Sequence, residues 1–180
     1  LEKGLFAAIE GVVAANRILA AQHSPLRIRL SAAGNFVTAA EKAEFDRLLK
    51  LPEYATTVRH LGFISAETKK RALREADVFC FPTCYFGENQ PVNLLEAMAF
   101  GLPIVTTRWR SLPEMLPPDY PGLVPEPEPD KIAAALIRLA LNETGENLRE
   151  HFLAHFSLQS HLAKLAVALR SVENPAPASA

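Results

Sequence analysis

The stretch FGENQPVNLLEAMAFGLPIVTT, Phe86–Thr107, runs from a polar loop through an apolar segment into a second apolar run. Pro91 suits the first position of a helix, where its missing N–H would go unpaired anyway, and Gly101 followed by Pro103 suits an exit. The spacing predicts a helix over roughly Pro91–Phe100. LPIVTT (Leu102–Thr107) and, upstream, DVFCFPT (Asp77–Thr83) are nearly continuous apolar runs. That is the pattern of parallel strands covered on both faces by helices.

The alternation continues outward. Lys3 to about Gln22 reads as a helix with an apolar stripe of Leu5, Ile9, Val12, Val13 and Ile18, followed by a strand at LRIRLSA and a helix over Ala39–Leu51. TTVRHLGFI reads as a strand and Ser65–Ala76 as a helix capped by Ser65. Beyond Thr107 come a short helix near Leu112–Leu116, a brief strand at GLVPE, and helices over Asp130–Leu141, Gly145–Phe156 and Ser157 to about Val172. Such alternation predicts an α/β fold, an open doubly wound and mainly parallel sheet with helices on both faces. Residues 1–172 are expected to form this domain, and 173–180, ENPAPASA, a disordered tail. Ligands of such sheets bind outside the carboxyl ends of the strands, and the loop Thr83–Gln90 leaves one of those ends.

The totals set limits. With 180 residues, 49% of them apolar, the chain can bury a sizeable core. A formal charge of −1, from 19 Lys and Arg against 20 Asp and Glu, creates no field that would recruit nucleic acid. No run approaches the roughly 18 apolar residues of a membrane span, and the N-terminal segment is an amphipathic helix broken by charges instead of a signal peptide. The expected location is the cytoplasm, with peripheral attachment at the inner membrane face left open. Cys80 and Cys84, in CFPTC, have neither redox-motif nor zinc-site spacing and are expected to be buried free thiols. His151 and His155 share a helix face, but HFLAH lacks the glutamate of a zinc-protease motif, so no metal ligand is nominated.

Chemistry is expected at the two glutamates. Glu96 lies four residues after Val92 and three before Ala99, which puts it in the predicted buried stripe. A carboxylate is costly there unless something satisfies it. Helical side chains tilt toward the N-terminus, so this one can reach back to the mouth of the sheet. Glu88, eight residues earlier, should stand at the same mouth beside the unpaired N–H groups of the helix start. Two hydroxyl-binding carboxylates and an anion-binding helix end suit a sugar nucleotide, with its ribose diol, diphosphate and hexose. The competing reading is an ordinary salt bridge from Glu96 to a nearby Lys or Arg.

Glu88, seven intervening residues, Glu96 and then AMAFGLPIVTT resemble the donor-site signature of the retaining glycosyl transferases group 1, whose GT-B architecture sets two Rossmann-like lobes across a cleft. EKG near the start, LRIRLSAAG, VRHLGFIS, ADVFCFPT, SLPEML and GLVPE follow the order of that family's C-terminal, donor-nucleotide-binding lobe. The resemblance implies a sugar transferred from a nucleotide-sugar to an acceptor, for example in glycan or glycolipid synthesis. It implies that Glu96 accepts hydrogen bonds from the donor ribose and that Glu88, the nominated catalytic residue, contacts hydroxyls of the transferred sugar. Lys3 would neutralise the diphosphate together with the amides of Val92 and Asn93, with Gln90 beside them, and Gly62, Phe63, Ile64 and Ser65 would line the nucleobase. These groups would stabilise the charge that builds on the leaving nucleoside diphosphate. No D-x-D occurs among the four aspartates, so neither a metal nor a cofactor beyond the substrate is expected.

Departures from the family pattern carry expectations too. ENQP replaces a common EGFG, so Pro91 removes one amide and phosphate contacts should shift to Val92 and Asn93. RWRS, Arg108–Ser111, replaces paired glycines and is either a source of substrate contacts or an exposed loop with solvated arginines. The family's first strand, which ends in a second phosphate-binding arginine, and its acceptor-binding N-terminal lobe have no counterpart here. The chain is therefore expected to be a fragment or truncated lobe, and none of its five histidines is nominated as the family's catalytic histidine. A missing central strand leaves two edges that invite pairing with another chain, giving a homodimer. The alternatives are a non-catalytic nucleotide-sugar-binding or scaffolding module and the lobe of a sugar-nucleotide epimerase.

Overall fold

The computed structural model describes residues 3–142 and 146–173. Residues 174–180 of the predicted tail lie outside the described residues, whereas Glu173, also assigned to that tail, closes the last helix. The elements in order are α1 (Leu5–Ala21), β1 (Leu30–Ala33), α2 (Ala39–Leu48), α3 (Pro52–Thr57), β2 (Val58–Gly62), α4 (Ala66–Glu75) and β3 (Phe79–Phe81). They continue with α5 (Val92–Ala99), β4 (Ile104–Thr107), α6 (Leu112–Met115), β5 (Leu123–Val124), α7 (Pro129–Asn142), α8 (Glu146–His155) and α9 (Leu158–Glu173).

Every strand pairing is parallel, as the apolar runs predict. β1 pairs β2, and β3, β4 and β5 form a second sheet in that order. The strands thus fall into two groups, where the sequence predicted one sheet, and among the described residues β1 and β3 are edge strands, as are β2 and β5. Burial follows this arrangement. All four residues of β4, the middle strand of its sheet, are buried, while β1 and β3 are only partly so. α1 joins the two groups: Val12 packs with Val105, Val124 and Ile132, and Ile9 and Val13 pack with Phe45, Tyr54 and Val58.

Two contacts lock β5 onto β4. The Tyr120 hydroxyl accepts from the Ile104 amide at 2.7 Å, in the buried interior. Gly122 passes so close that a Cβ there would lie 1.9 Å from the Ile104 carbonyl oxygen.

The structure corrects two readings. Residues 52–57, of which 52–55 are unassigned in the sequence reading and Thr56 and Thr57 are given to a strand, form the separate helix α3. Pro52 at its first turn and Glu53 beside it start a helix after α2 has ended at Leu48, and Tyr54 anchors it by hydrogen bonds to Glu10. In α5 the buried stripe is Leu94, Ala97 and Met98, not Val92, which is 67% exposed. Pro91 caps the helix from outside instead of opening it, so the buried face is the one that meets Ile104, Leu112 and Leu148. Among the described residues, no helix is long and apolar enough to cross a membrane.

Candidate functional site

The loop between β3 and α5 leaves the carboxyl end of β3, and β4 together with the segment after it holds that loop in place. Thr106 Oγ1 donates to the Phe81 carbonyl at 2.7 Å and Thr107 Oγ1 to that of Thr83. Trp109 Nε1 donates to the Tyr85 carbonyl at 2.7 Å, and Ser111 Oγ to that of Asn89. Arg110, at a left-handed φ of 49°, lays its guanidinium 4.8 Å over the Phe86 ring. RWRS is therefore a clamp on the glutamate loop. Both arginines of the segment are exposed, as in the solvated-arginine reading, and the Arg108 amide is bound to the Val124 carbonyl at 2.7 Å.

Glu88 is the most telling residue of that loop. It is 8% exposed, and its Oε2 makes no hydrogen bond among the described residues. An unpaired carboxylate oxygen in a buried place is costly, so such a group marks a position where a donor is expected to arrive. Among the described residues its ion-pair partner is Lys3, whose Nζ stands 3.7 Å from Oε2, outside hydrogen-bond range, and 4.7 Å over the Tyr85 ring. Lys3 is itself largely exposed, so its three donors remain open to a ligand.

Gly4 explains why Lys3 comes so close. Its φ of +84° is left-handed, and a Cβ would lie 2.3 Å from the Pro82 carbonyl oxygen. Only glycine lets the start of α1 lie against the loop. Gly4→Ala is expected to cost ~2 kcal/mol through the clash and the positive φ, read as a lower urea midpoint.

Glu96 is held differently. Its Oε1 accepts from Lys69 Nζ at 2.5 Å, and both side chains are partly exposed. The competing salt-bridge reading of this carboxylate thus describes one of its two oxygens. The bridge also ties α5 to α4, and the predicted nucleobase segment leads into the start of α4. There Gly62 turns the chain at φ 66°, Phe63 is exposed, Ile64 is half-buried, and Ser65 caps α4 by accepting from the Thr68 amide at 3.3 Å.

At the start of α5 the Val92 and Asn93 amides belong to the first turn, whose N–H groups have no intrahelical partner. Asn93 Oδ1 accepts from the Leu94 amide at 3.0 Å. Gln90 is placed elsewhere. It lines an open pocket of about 370 Å³ with Leu95, His155, Phe156, His161 and Lys164, and neither Glu88 nor Lys3 borders that pocket.

Sequence reasoning missed Lys69, Tyr85, Trp109 and Gly4. Each acts across a long sequence separation, and no local spacing marks it. Other expected features are structural. Cys80 and Cys84 are free and half-buried, and burial pushes the Cys80 thiol up to about 12, which keeps it unreactive. The rings of His151 and His155 meet at 4.5 Å, and burial followed by the neighbouring imidazole lowers the pKa of His151. Among the described residues, no group of three or more His, Cys, Asp or Glu could hold a metal ion.

Comparisons with known proteins agree with this architecture. Residues 6–142 match the family described as Glycosyl transferases group 1. The amylovoran biosynthesis glycosyltransferase AmsK of Erwinia amylovora is 34% identical over 147 residues, covering 79% of this chain and 34% of that protein. The phosphatidyl-myo-inositol mannosyltransferase of Mycolicibacterium smegmatis is 34% identical over 110 residues, 61% of this chain and 28% of that protein. The chain thus spans well under half the length of these relatives. Among solved structures, HepE of Anabaena in complex with UDP-glucose superposes with a TM-score of 0.73 at 17% identity, covering 94% of this chain and 46% of that one. Sucrose-phosphate synthase of Thermosynechococcus elongatus gives 0.67 at 24% identity, covering 95% and 42%. With parallel strands flanked by helices and a family match over most of its length, the chain belongs to the Glycosyl transferases group 1 family and is an α/β domain of GT-B type.

Proposed function

We propose that this chain is the donor-binding lobe of a retaining glycosyltransferase, acting with a separate N-terminal lobe that binds the acceptor. The observation that carries the reading is the buried Glu88 oxygen without a hydrogen bond, facing an exposed lysine at the carboxyl end of β3. A sugar hydroxyl would supply the missing donor. Lys3 and the Val92 and Asn93 amides would meet the diphosphate, where charge grows as the glycosidic bond breaks. Glu96 would use the oxygen that Lys69 leaves open for the ribose, with Phe63 available to stack on the base. Leaving-group charge would be neutralised without a metal ion, and the working location would be the cytoplasm. HepE, of the same fold, is seen with UDP-glucose, which makes a uridine nucleotide the first ligand to try.

The test is titration of the chain with UDP, GDP and ADP by calorimetry or ligand-observed NMR. Binding of at least one nucleotide in the millimolar range or tighter is expected, weakened by Glu96→Ala. If none binds at millimolar concentration, the assignment of this crevice is wrong.

A further inference from the structure

The turn that carries Glu88 hangs on one carbonyl. The Tyr85 oxygen accepts from the Glu88 amide at 3.0 Å, closing a turn through Phe86 and Gly87, and also accepts from Trp109 Nε1 at 2.7 Å. Both lone pairs of that oxygen are thus used. The Tyr85 amide is held too, donating to Thr83 Oγ1 at 3.1 Å. Gly87 suits the turn because a Cβ there would lie 2.8 Å from the Tyr85 ring.

The segment after β4 grips this turn on either side of Glu88. Trp109 binds Tyr85, three residues before it, and Ser111 Oγ donates to the carbonyl of Asn89, directly after it. Between the two, Arg110 covers the Phe86 ring. The grip has a firm base, since Trp109 packs against the core cluster of Ile104 and Leu112, and β4, buried throughout, ends two residues earlier at Thr107. The Glu88 side chain has a weaker hold of its own: among the described residues Oε2 makes no hydrogen bond, and Lys3 stands 3.7 Å away. The direction of the carboxylate therefore depends on the backbone that carries it.

We propose that Trp109 is a positioning residue for Glu88, fixing the turn so that the carboxylate meets the transferred sugar; this rests on the donor-site reading above. A binding group has to be held within about 0.5 Å of its productive place by bonds such as this one. Without the indole N–H, the Tyr85 carbonyl keeps only the Glu88 amide, and the turn is released from β4. The loss falls on the sugar, which Glu88 would touch, and not on the nucleotide.

The test compares a nucleotide-sugar with its bare diphosphate, UDP-glucose with UDP and GDP-mannose with GDP, by ligand-observed NMR or calorimetry on the full chain. The ratio of the two affinities cancels the contacts that both ligands share and isolates the sugar. For a pair that binds, Trp109→Phe and Glu88→Gln should each shift the ratio at least ~fivefold against the sugar, and the double variant no further than Glu88→Gln alone. Trp109 is the single tryptophan, so β-(3-benzothienyl)alanine in its place keeps the bicyclic shape, removes the N–H and should give the same shift. Hydrogen exchange of the Glu88 amide should quicken at least ~fivefold in both replacements. A ratio unmoved by either replacement, additive losses, or unchanged exchange at Glu88 would overturn the positioning role and leave the donor assignment standing. Binding of none of these ligands, or a ratio unmoved by Glu88→Gln, would overturn the donor-site reading and this proposal with it.

Discussion

Glu88→Gln, made in the protein that carries this lobe together with its acceptor-binding part, is expected to lower sugar transfer by ~10²–10³-fold. The amide is nearly isosteric, so the loop clamped by Trp109 and Ser111 should keep its shape. What is lost is a buried negative acceptor, proposed to meet the substrate, with one oxygen free of hydrogen bonds among the described residues. If the contact strengthens in the transition state, kcat falls with kcat/KM, whereas a contact that only holds the ground state would raise KM alone. Stability should move the other way. The substitution removes a buried charge whose compensation is one lysine at 3.7 Å, so the urea midpoint should hold or rise. Wild-type transfer rates in Glu88→Gln would remove this residue from the chemistry.

Gly122→Ala is expected to have the largest effect on stability. A Cβ there would sit 1.9 Å from the Ile104 carbonyl oxygen and 2.8 Å from the Tyr120 ring, inside the β4–β5 pairing. Neither neighbour can yield easily. The carbonyl belongs to the buried middle strand, and the Tyr120 hydroxyl is held by the Ile104 amide. Separating β5 from β4 should cost ~3 kcal/mol, within the range of overpacked core positions and near the upper end for one methyl. Urea denaturation reads this directly, and an unchanged midpoint would mean that β5 contributes little to the folded state.

How much of this was legible depends on the range of the interaction. The parallel strands, α4 with its Ser65 cap, and α5 ending before Gly101 could be read because each is written in adjacent residues. α3 was lost because its opening proline follows so closely on α2 that the two merge in any window of helical length. The stripe on α5 was assigned from Val92, a residue that looks apolar but lies where the helix meets solvent. Of the site, the Glu88–Lys3 pair was recoverable only through the family resemblance, since 85 residues separate the two charges. Gly4 sat inside a quoted motif without its purpose being visible, because Pro82 is what requires it.

The unpaired edges of β1 and β3 give the lobe a grain along which it can part. Among the described residues those edges pair with no further strand, so β1, β2, α2 and α3 are expected to open as one cooperative unit while β3, β4 and β5 stay paired. α1 contributes side chains to the cores of both units, so its release is expected to require both to open. Lys3 sits at the head of that helix, so the residue proposed to meet the diphosphate is joined to the element that both units share.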